Sequence, residues 1–267
     1  MEVHHHPHIP NHPKPWKEYL LEGLMIFVAV TLGYGAENIR EHYVETKKAI
    51  VSAKNLYVDV TYDSISYANT MRNRQKQDTC FEILYDLYKK NSLDKEVPTI
   101  YAAHATISLR MLPIMNTLAL DEVKNSGTLK YIESNELKEA IQKYASLGGG
   151  LKLREQREFS YIDRVVDPIS ISNFKFEFFR NVTDNFEIKD NKIIFKLPIP
   201  NDLKILKKNE LDWDNYFSIL GMLKTIREST DENYIRPTQE QCHELLTLLR
   251  NYLKEHDAFD EAKLNHL

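Results

Sequence analysis

The feature that most constrains this chain is an apolar segment close to its N-terminus. Residues 19–36 read YLLEGLMIFVAVTLGYGA, eighteen residues with a single charge at Glu22. As an α-helix they rise about 27 Å, slightly less than the ~30 Å hydrocarbon core of a bilayer. Trp16 before the segment and Tyr34 near its end are aromatic side chains of the kind found at both membrane interfaces, which extends the span. The segment therefore predicts a transmembrane helix.

Two other interpretations of the segment are a buried helix of a soluble domain and a secretory signal peptide that is cleaved off. The A-x-A pattern of a cleavage site is missing from the segment. The strongly helical stretch ENIREHYVETKKAIVSAKNLY follows the apolar run at once. These two observations favour an uncleaved signal anchor.

Three residues of the segment are candidates for contacts inside the membrane. A carboxylate such as Glu22 is costly at the bilayer centre, so it is either an interfacial group reached by water or a functional group that holds a proton or contacts a partner helix. Because Glu22 lies one turn inside the segment, the interfacial interpretation is the simpler one. Ala29 and Gly33 form a small-xxx-small pair, which would let another helix approach closely.

Residues 1–18 form a tail that is rich in histidine and proline. Its prolines favour extended conformations and it has no apolar periodicity, so we expect it to be flexible. Neutral imidazoles at short spacing on a flexible chain can converge on Zn, Ni or Cu. The alternative interpretations are a solvated tail and a short tag. The candidate metal ligands are His4, His5, His6, His8 and His12.

Composition and motif searches exclude several function classes. With 35 basic and 39 acidic residues the formal net charge is -4, so the chain has no global field to hold nucleic acid. The sequence contains no HExxH, CxxC, GxSxG or Walker motif. Asp212-Trp213-Asp214 resembles a DxD metal motif, but an aspartate at a helix start is more simply a cap. We therefore predict neither an enzyme nor a cofactor.

Beyond the anchor, the helical pattern continues to about residue 90. Two interleaved series suit a coiled-coil seam or one face of an antiparallel bundle, and additional apolar residues that widen the stripe favour the bundle. We expect residues 37–90 to form a long amphipathic stalk with Ile50 and Val60 in a buried seam. The first series is Ala36, Tyr43, Ile50, Tyr57 and, after Ser64, Met71; the second is Ile39, Thr46, Ala53, Val60 and Tyr67; the additional apolar residues are Val44, Val51, Leu56, Val58 and Ile65.

The rest of the chain is predicted to be a helical head with a small β element. Residues 91–170 show helical spacing, with signals for helix ends at Gly127 and Ser134 and a flexible GGG joint at 148–150. Residues 171–200 contain the alternating stretch SNFKFEFFR and two short strands about a KDN turn. Residues 201–267 return to helical spacing, with a capping box at Thr238. The predicted fold is mainly α: a transmembrane helix, a long amphipathic helix and a helical bundle with a small β-hairpin or small sheet.

Two stretches of the sequence resemble a family of uncharacterised single-pass membrane proteins common in Bacteroidetes. One is the anchor WKEYLLEGLMIFVAVTLGYGAENIREH, from Trp16 to His42, and the other is ALDEVKNSGTLKYIESNELKEAIQKY, from Ala119 to Tyr144. The second is similar to that family's recurring helix, Ser-Gly, turn and helix. The His-rich leader departs from the Lys-rich leaders of the family. The resemblance implies an inner-membrane anchor with a helical extracytoplasmic domain, and it carries over no catalytic residue.

We expect the N-terminus in the cytoplasm of a bacterium and the main domain in the periplasm. The basic residues on the two sides of the span are nearly balanced, but a short tail before an uncleaved apolar segment is the usual layout of a signal anchor. The family resemblance points the same way. In the periplasm Cys80 and Cys242 could become oxidised if the fold brings them together.

Two classes of function remain after these exclusions. The first is a structural or accessory subunit of a cell-envelope assembly, whose partners are the lipid bilayer and either further copies of the chain or another envelope protein. The alternative is a ligand-sensing or transport-associated helical module with a pocket between its helices. A large apolar stripe exposed on the head would favour the first class, and a closed head with an internal polar pocket would favour the second.

We expect the intact protein to stay in the membrane pellet after carbonate extraction, because residues 19–36 bury their apolar side chains in lipid. Deletion of residues 19–36 should release a folded soluble protein, since the 231 residues after Ala36 are enough for a core of their own. An immunoblot of pellet and supernatant measures both. Recovery of the intact protein in the supernatant would contradict the transmembrane prediction.

Overall fold

One very long helix runs from the predicted membrane segment into the head. In the computed structural model, which describes residues 15–182, 185–200, 202–207 and 210–259, helix α1 is Trp16–Lys89 and has 74 residues. It is about 110 Å long at 1.5 Å per residue. Between Gly35 and Lys89 the sequence has neither glycine nor proline, the residues least compatible with a helix interior. The chain leaves the helix at Asn91, which has a left-handed backbone with φ of 51°.

Within the described residues, seven shorter helices and one antiparallel hairpin follow α1. The fold is mainly α with a small β-hairpin, as predicted. Short 3-10 turns lie at Leu93–Lys95 and Thr128–Tyr131. The helices are α2 Val97–Ile107, α3 Leu118–Asn125, α4 Asn135–Tyr161, α5 Asp167–Asn173, α6 Phe176–Val182, α7 Trp213–Thr230 and α8 Arg236–Glu255, and the strands are β1 Phe186–Lys189 and β2 Lys192–Phe195.

The N-terminal part of α1 stands clear of the head. It contains a window long and apolar enough to cross a membrane, and none of that window is buried against the other described residues. From Ala49 onward, every third or fourth residue of α1 is buried. The predicted stalk of residues 37–90 is therefore a free helix only to about residue 41, since His42 packs against Tyr131, and the part that begins at Ala49 is a core helix of the head.

The buried stripe of α1 keeps heptad spacing. Ala53, Val60 and Tyr67 of the second predicted series lie in the core. The stripe packs against α2, α3 and α8 of the same chain, so it forms one face of the bundle. Of the widening residues, Leu56 is buried in this stripe, whereas Val44, Val51 and Ile65 are exposed.

Tyr57 of the first predicted series is buried, and Ile50 and Met71 pack against the core, but the most deeply buried positions lie one residue earlier. The reason is that the stripe changes from apolar to polar residues along α1, so a search for apolar residues misses half of it. The deeply buried positions are Ala49, Leu56, Asp63 and Thr70, and Arg74 and Gln77 continue the stripe.

The head contains two apolar cores stacked along α1. The core nearer the predicted membrane segment joins α1 between Ala49 and Tyr67 to α3, α4 and α8. The farther core joins α1 beyond Cys80 to α2, α6, α7 and the hairpin. Arg74 and Gln77 lie on α1 between the two cores, in a layer of buried polar side chains.

Two helices continue beyond their predicted ends through π-helical turns. Ile162–Val166 joins α4 to α5, and Asp231–Ile235 joins α7 to α8. Thr238 is therefore not a helix cap, because it lies in a continuous helix and its hydroxyl donates to the Tyr234 carbonyl at 2.6 Å. Such one-residue insertions often mark functional regions of helices.

Residues 148–150, predicted as a flexible joint, lie inside helix α4. A Cβ atom on Gly148 would overlap the Met115 sulfur, and one on Gly150 would come within 3.4 Å of the Tyr234 ring. Gly148 therefore permits close packing by the loop that contains Met115, whereas a Cβ atom at Gly150 would make an ordinary contact with the Tyr234 ring.

The predicted β element at residues 171–200 is smaller than expected. The alternating stretch 172–180 is not a strand, and α6 covers its C-terminal half. Phe174, Phe178 and Val182 are buried at intervals of four residues, the spacing of one helix face. Phenylalanines at alternate positions in the sequence thus imitate a strand pattern.

Three local predictions are confirmed. Gly127 has a left-handed φ of 73° after α3. The Ser134 hydroxyl caps α4 by accepting from the Leu137 N–H at 3.1 Å. Asp190 and Asn191 take left-handed conformations at the hairpin turn, as the predicted KDN turn requires.

Cys80 and Cys242 are both free and lie in different cores. The Cys242 thiol is 3.4 Å from the Val60 carbonyl oxygen. Val60 and Cys80 are separated by about 30 Å along α1, whereas a disulfide needs Cα atoms within about 7 Å. The two cysteines therefore cannot pair with each other in this fold.

The predicted seam residues Ile50 and Val60 belong to the head itself. Val60 is fully buried in the core nearer the membrane segment, and Ile50 is half-buried against that core. Val60 therefore lies in the buried stripe, as predicted, and the stripe forms a face of the bundle within one chain.

Val60→Asp should unfold or strongly destabilise the head, because it leaves an unpaired charge in an apolar core at a cost of about 3–5 kcal/mol. Val51→Asp is the matched control, since Val51 is 57% exposed. Thermal unfolding of the full chain in detergent, followed by circular dichroism, measures both variants. Equal melting temperatures for the two variants would contradict the assignment of Val60 to the core.

Candidate functional site

An exposed apolar surface lies on the side of α1 roughly opposite its buried stripe. Val44, Val51, Val58 and Ile65 follow one another at intervals of seven residues, and Tyr62 lies one turn from Val58 on the same side. Val58 is half-buried and the other four side chains are exposed. We call these five residues the outer face.

The loop between α2 and α3 is fixed to α1 beside the outer face. The Asn116 backbone N–H donates to Asp63 Oδ1 and the Ile114 backbone N–H donates to Ser66 Oγ, each at 2.8 Å. Asp63 also accepts from the Tyr144 hydroxyl at 2.7 Å. Burial raises the pKa of Asp63, although both hydrogen bonds oppose that shift. The loop is thus held by a buried carboxyl group rather than by apolar packing alone.

Two further apolar side chains are exposed where the chain is bonded to α1, Ile114 in this loop and Leu118 at the start of α3. Asp59 accepts from the side-chain amide of Asn116 at 2.8 Å and from the Ala119 N–H at 3.0 Å. Asp59 lies one turn from Tyr62 on α1, and the side chains of Ile114 and Leu118 are 82% and 78% exposed. Exposed apolar side chains grouped in this way usually mark a contact site.

A groove continues the outer face toward the membrane segment. It lies between α1 and the α3 end of the head and has a volume of about 430 Å³. The Ser52 hydroxyl donates to Glu122 at 3.0 Å beneath it. Its lining residues include Val44, Lys47, Lys48, Val51, Ser126 and Thr128.

A larger groove lies on the other side of the same loop. It has a volume of about 660 Å³, with Leu112, Met115 and Phe159 among its apolar lining residues and Lys124 and Lys152 among its charged ones. The absence of side chains at Gly148 and Gly149 opens this part of α4 to the loop. The shape suits a small amphipathic ligand or a side chain of a partner.

The layer between the two cores consists of charged side chains. Arg74 donates to Glu158 at 2.8 Å, and both side chains are almost completely buried. Arg227 donates to the same carboxylate at 3.3 Å, and Arg74 Nη1 lies 2.9 Å from Asp231 Oδ1. Burial raises the pKa of Asp231 to about 6, although the nearby Arg74 opposes this shift.

The same layer binds backbone carbonyl groups at the end of α2 and in the following loop. Arg74 Nε donates to the Met111 carbonyl at 2.9 Å, and Arg227 donates to the Leu109 carbonyl at 3.0 Å. Gln77 donates to the Leu109 carbonyl as well, at 2.8 Å. The charged layer therefore determines where the loop leaves the head.

The farther core contains a buried histidine with two hydroxyl partners. His104 Nδ1 is 2.9 Å from the Tyr216 hydroxyl, and Nε2 is 2.8 Å from the Ser170 hydroxyl. The ring stacks on Phe174 with centroids 4.3 Å apart. Burial lowers the pKa of His104 to about 3, so its imidazole is neutral at pH 7. This serine–histidine–tyrosine chain joins α2, α5 and α7 without a carboxylate.

The predicted membrane residues lie on the part of α1 that protrudes from the head. Trp16, Glu22 and Ala29 are exposed. Gly33 is exposed too, and a Cβ atom added to it would have no other part of the described structure within 4 Å. Gly33 precedes Val51 by 18 residues, about five turns, so the two lie on the same side of α1. The small-residue pair thus belongs to the same side as the outer face.

The predicted metal ligands His4, His5, His6, His8 and His12 lie outside the described residues. In the part of the chain that the structure describes, no group of three or more histidine, cysteine or acidic side chains is arranged to hold a metal ion. Asp212 acts as a cap, because its carboxylate accepts from the Asn215 N–H at 3.1 Å. The DxD stretch is thus explained by helix capping.

Sequence reasoning missed both the outer face and the charged layer. The periodicity predicts that the outer-face valines widen one stripe, whereas they form a second stripe on the other side of the helix. Val60, Tyr67 and Arg74 follow one another at intervals of seven residues, and all three are buried. The heptad spacing alone therefore indicates a buried arginine. The partner Glu158 has no such signal, because it is surrounded by charged residues in the sequence.

Comparison of the chain with protein-family models, with curated proteins and with solved structures gives no match.

The free energy of unfolding should fall more steeply with acid in the native protein than in His104→Gln. Because the folded-state pKa of His104 is about 3 and the unfolded value is about 6.5, the unfolded chain binds the proton first. The contribution of His104 to the free energy of unfolding is therefore complete above pH 6.5. Below that pH it decreases by about 1.4 kcal/mol for each pH unit. Denaturant unfolding between pH 7 and 4 measures the difference in slope.

His243→Gln is the matched control for this titration, since His243 is exposed. The raised pKa of Asp231 makes the free energy of unfolding increase as the pH falls, which is opposite to the effect of His104. Asp231 is present in all three proteins, so its contribution cancels in the comparison. Identical slopes for the native protein and His104→Gln would refute the neutral buried histidine.

Proposed function

We propose that this chain is a membrane-anchored structural or accessory subunit of a cell-envelope assembly, which docks through the outer face of its helical head. The observation that carries the proposal is the exposure of the outer face together with Ile114 and Leu118. Apolar side chains left in water at adjacent positions favour burial by a partner, because the hydrophobic free energy grows with the area covered.

The anchor supports the membrane part of this proposal. The apolar window of α1 is unburied in the head, so a bilayer would supply the missing apolar surroundings. We place the N-terminus in the cytoplasm and the head in the periplasm of a bacterial inner membrane, on the basis of the signal-anchor layout and the resemblance to the Bacteroidetes family.

A ligand-sensing or transport-associated module is the second candidate function. The groove of about 660 Å³ beside Met115 favours it, because apolar residues line it together with charged ones. The outer face supports docking more directly, since it lies on the helix that carries the anchor and extends over three heptads of that helix.

A photo-crosslinking phenylalanine analogue at Tyr62 of the full chain should form a protein adduct in native membranes. The replacement keeps an aromatic ring and Tyr62 is exposed, so the head should remain folded. Phe176 is the matched control, because it is an exposed aromatic residue on α6, away from the outer face. Gel mobility of the tagged chain after irradiation is the measurement.

An adduct at Tyr62 that is absent at Phe176 supports docking through the outer face. No adduct at Tyr62, or equal adducts at both positions, would overturn the proposed function. Neither result depends on which protein is captured.

A further inference from the structure

We infer that the partner of the outer face is a second copy of this chain, packed in parallel along α1. The inference rests on the proposed docking function and names its partner. It does not use the seam predicted at Ile50 and Val60, which the head's own core occupies.

The first support is the residue type at the heptad positions. Val44, Val51, Val58 and Ile65 are all apolar and repeat at one heptad position, as the residues of a coiled-coil seam do. Asn55 is exposed on the same side, between Val51 and Val58. A polar asparagine at a seam position specifies the register of the two helices, at a cost in stability.

The second support is charge complementarity of the face with itself. In a parallel pair, a flanking residue of one helix meets the residue five positions later in its partner. Arg40 would then face Glu45, and Lys54 would face Asp59. Both pairs have opposite charges, whereas Ser52, the position opposite Lys47, is buried in the head beside Glu122. These two flanking pairs are attractive when the face meets its own copy in register.

The third support is the continuity of α1 into the membrane segment. Both copies enter one bilayer in the same direction, so the anchors impose the parallel orientation that the heptads require. The same side of α1 carries Gly33 and Gly23, where no other part of the described structure approaches. Small residues at these positions allow close contact between two membrane helices.

The available area is sufficient for a stable dimer. From Gly23 to Asn69 the helix rises about 69 Å, and a strip about 10 Å wide along it covers roughly 700 Å² of each copy. The pair would bury roughly 1,400 Å² in total, within the range of about 1,200–2,000 Å² for stable interfaces. Ile114 and Leu118 add to this area.

Disulfide cross-linking of Val51→Cys in the full chain tests the inference. In native membranes with a mild oxidant, most of this variant should run as a dimer on a non-reducing gel, because the two thiols would face each other. Leu153→Cys is the matched control, since Leu153 is an exposed apolar residue of α4 and should remain monomeric. Cys80 and Cys242 are buried, so they should not contribute to either band.

A charge-reversal cycle in the Val51→Cys background tests the parallel register. Arg40→Glu or Glu45→Arg alone should reduce the dimer band several-fold, because each places like charges opposite one another. The double variant should restore it. A double variant that cross-links no better than the single variants would overturn the parallel alignment.

The outcomes separate this inference from the proposed function. A dimer with Val51→Cys and none with Leu153→Cys supports the second copy. If Val51→Cys stays monomeric while the analogue at Tyr62 captures a different protein, the second copy is overturned and docking stands. If Val51→Cys stays monomeric and Tyr62 gives no adduct, both are overturned.

Discussion

The head depends on a carboxylate, Glu158, that two arginines bind in the buried layer between its two cores. Removal of one member of such a buried set leaves the others unpaired, at a typical cost of about 3–5 kcal/mol. The arginines Arg74 and Arg227 also bind the carbonyl groups of Met111 and Leu109. The loop that carries Ile114 and leads to Leu118 begins at these carbonyl groups. The position of an exposed docking surface is therefore determined by charges inside the head.

Helix α1 has two apolar sides with different partners. One side, from Ala49 onward, is covered by α2, α3 and α8. The other side carries the outer face and is open to solvent. Because the inner side contains Asp63 and Arg74 with specific hydrogen-bond partners, a slip of one heptad along the head would leave both groups unpaired. The polar residues of the buried stripe thus fix the register of α1 against the head. The position of the outer face relative to the head is fixed as a result.

Much of the fold follows from local patterns in the sequence. The long helix, the hairpin turn at Asp190 and the cap at Ser134 are read from residues that are close together, because these structures depend on nearest neighbours along the chain. The wrong predictions have a different origin. Residues 148–150 are helical because Met115 packs against them, and residues after Phe174 are helical because one face of that segment is buried. Both causes are contacts between distant parts of the chain, which a local pattern does not contain.

The candidate site was predictable only in part, for the same reason. The valines of the outer face were visible as apolar residues, but the side of α1 that is free could be assigned only after the head helices were placed. Ile114 and Leu118 have no periodic pattern, because they lie in and directly after a loop whose position depends on Asp59 and Asp63. The anchor is the opposite case: its length and lack of charge are properties of a single segment, and they are sufficient to predict it.

The uninterrupted course of α1 fixes the distance of each residue of the outer face from the predicted membrane segment. If the membrane segment ends at Ala36, Val44 lies about 12 Å and Ile65 about 44 Å farther along the helix axis. Any molecule that binds the outer face must place its own contact surface within that range of distances from the end of the membrane segment. A glycine or proline inserted between Gly35 and His42 would remove this restriction and leave the contacts of the head in place, since His42 packs edge-on against Tyr131 and the buried stripe begins at Ala49.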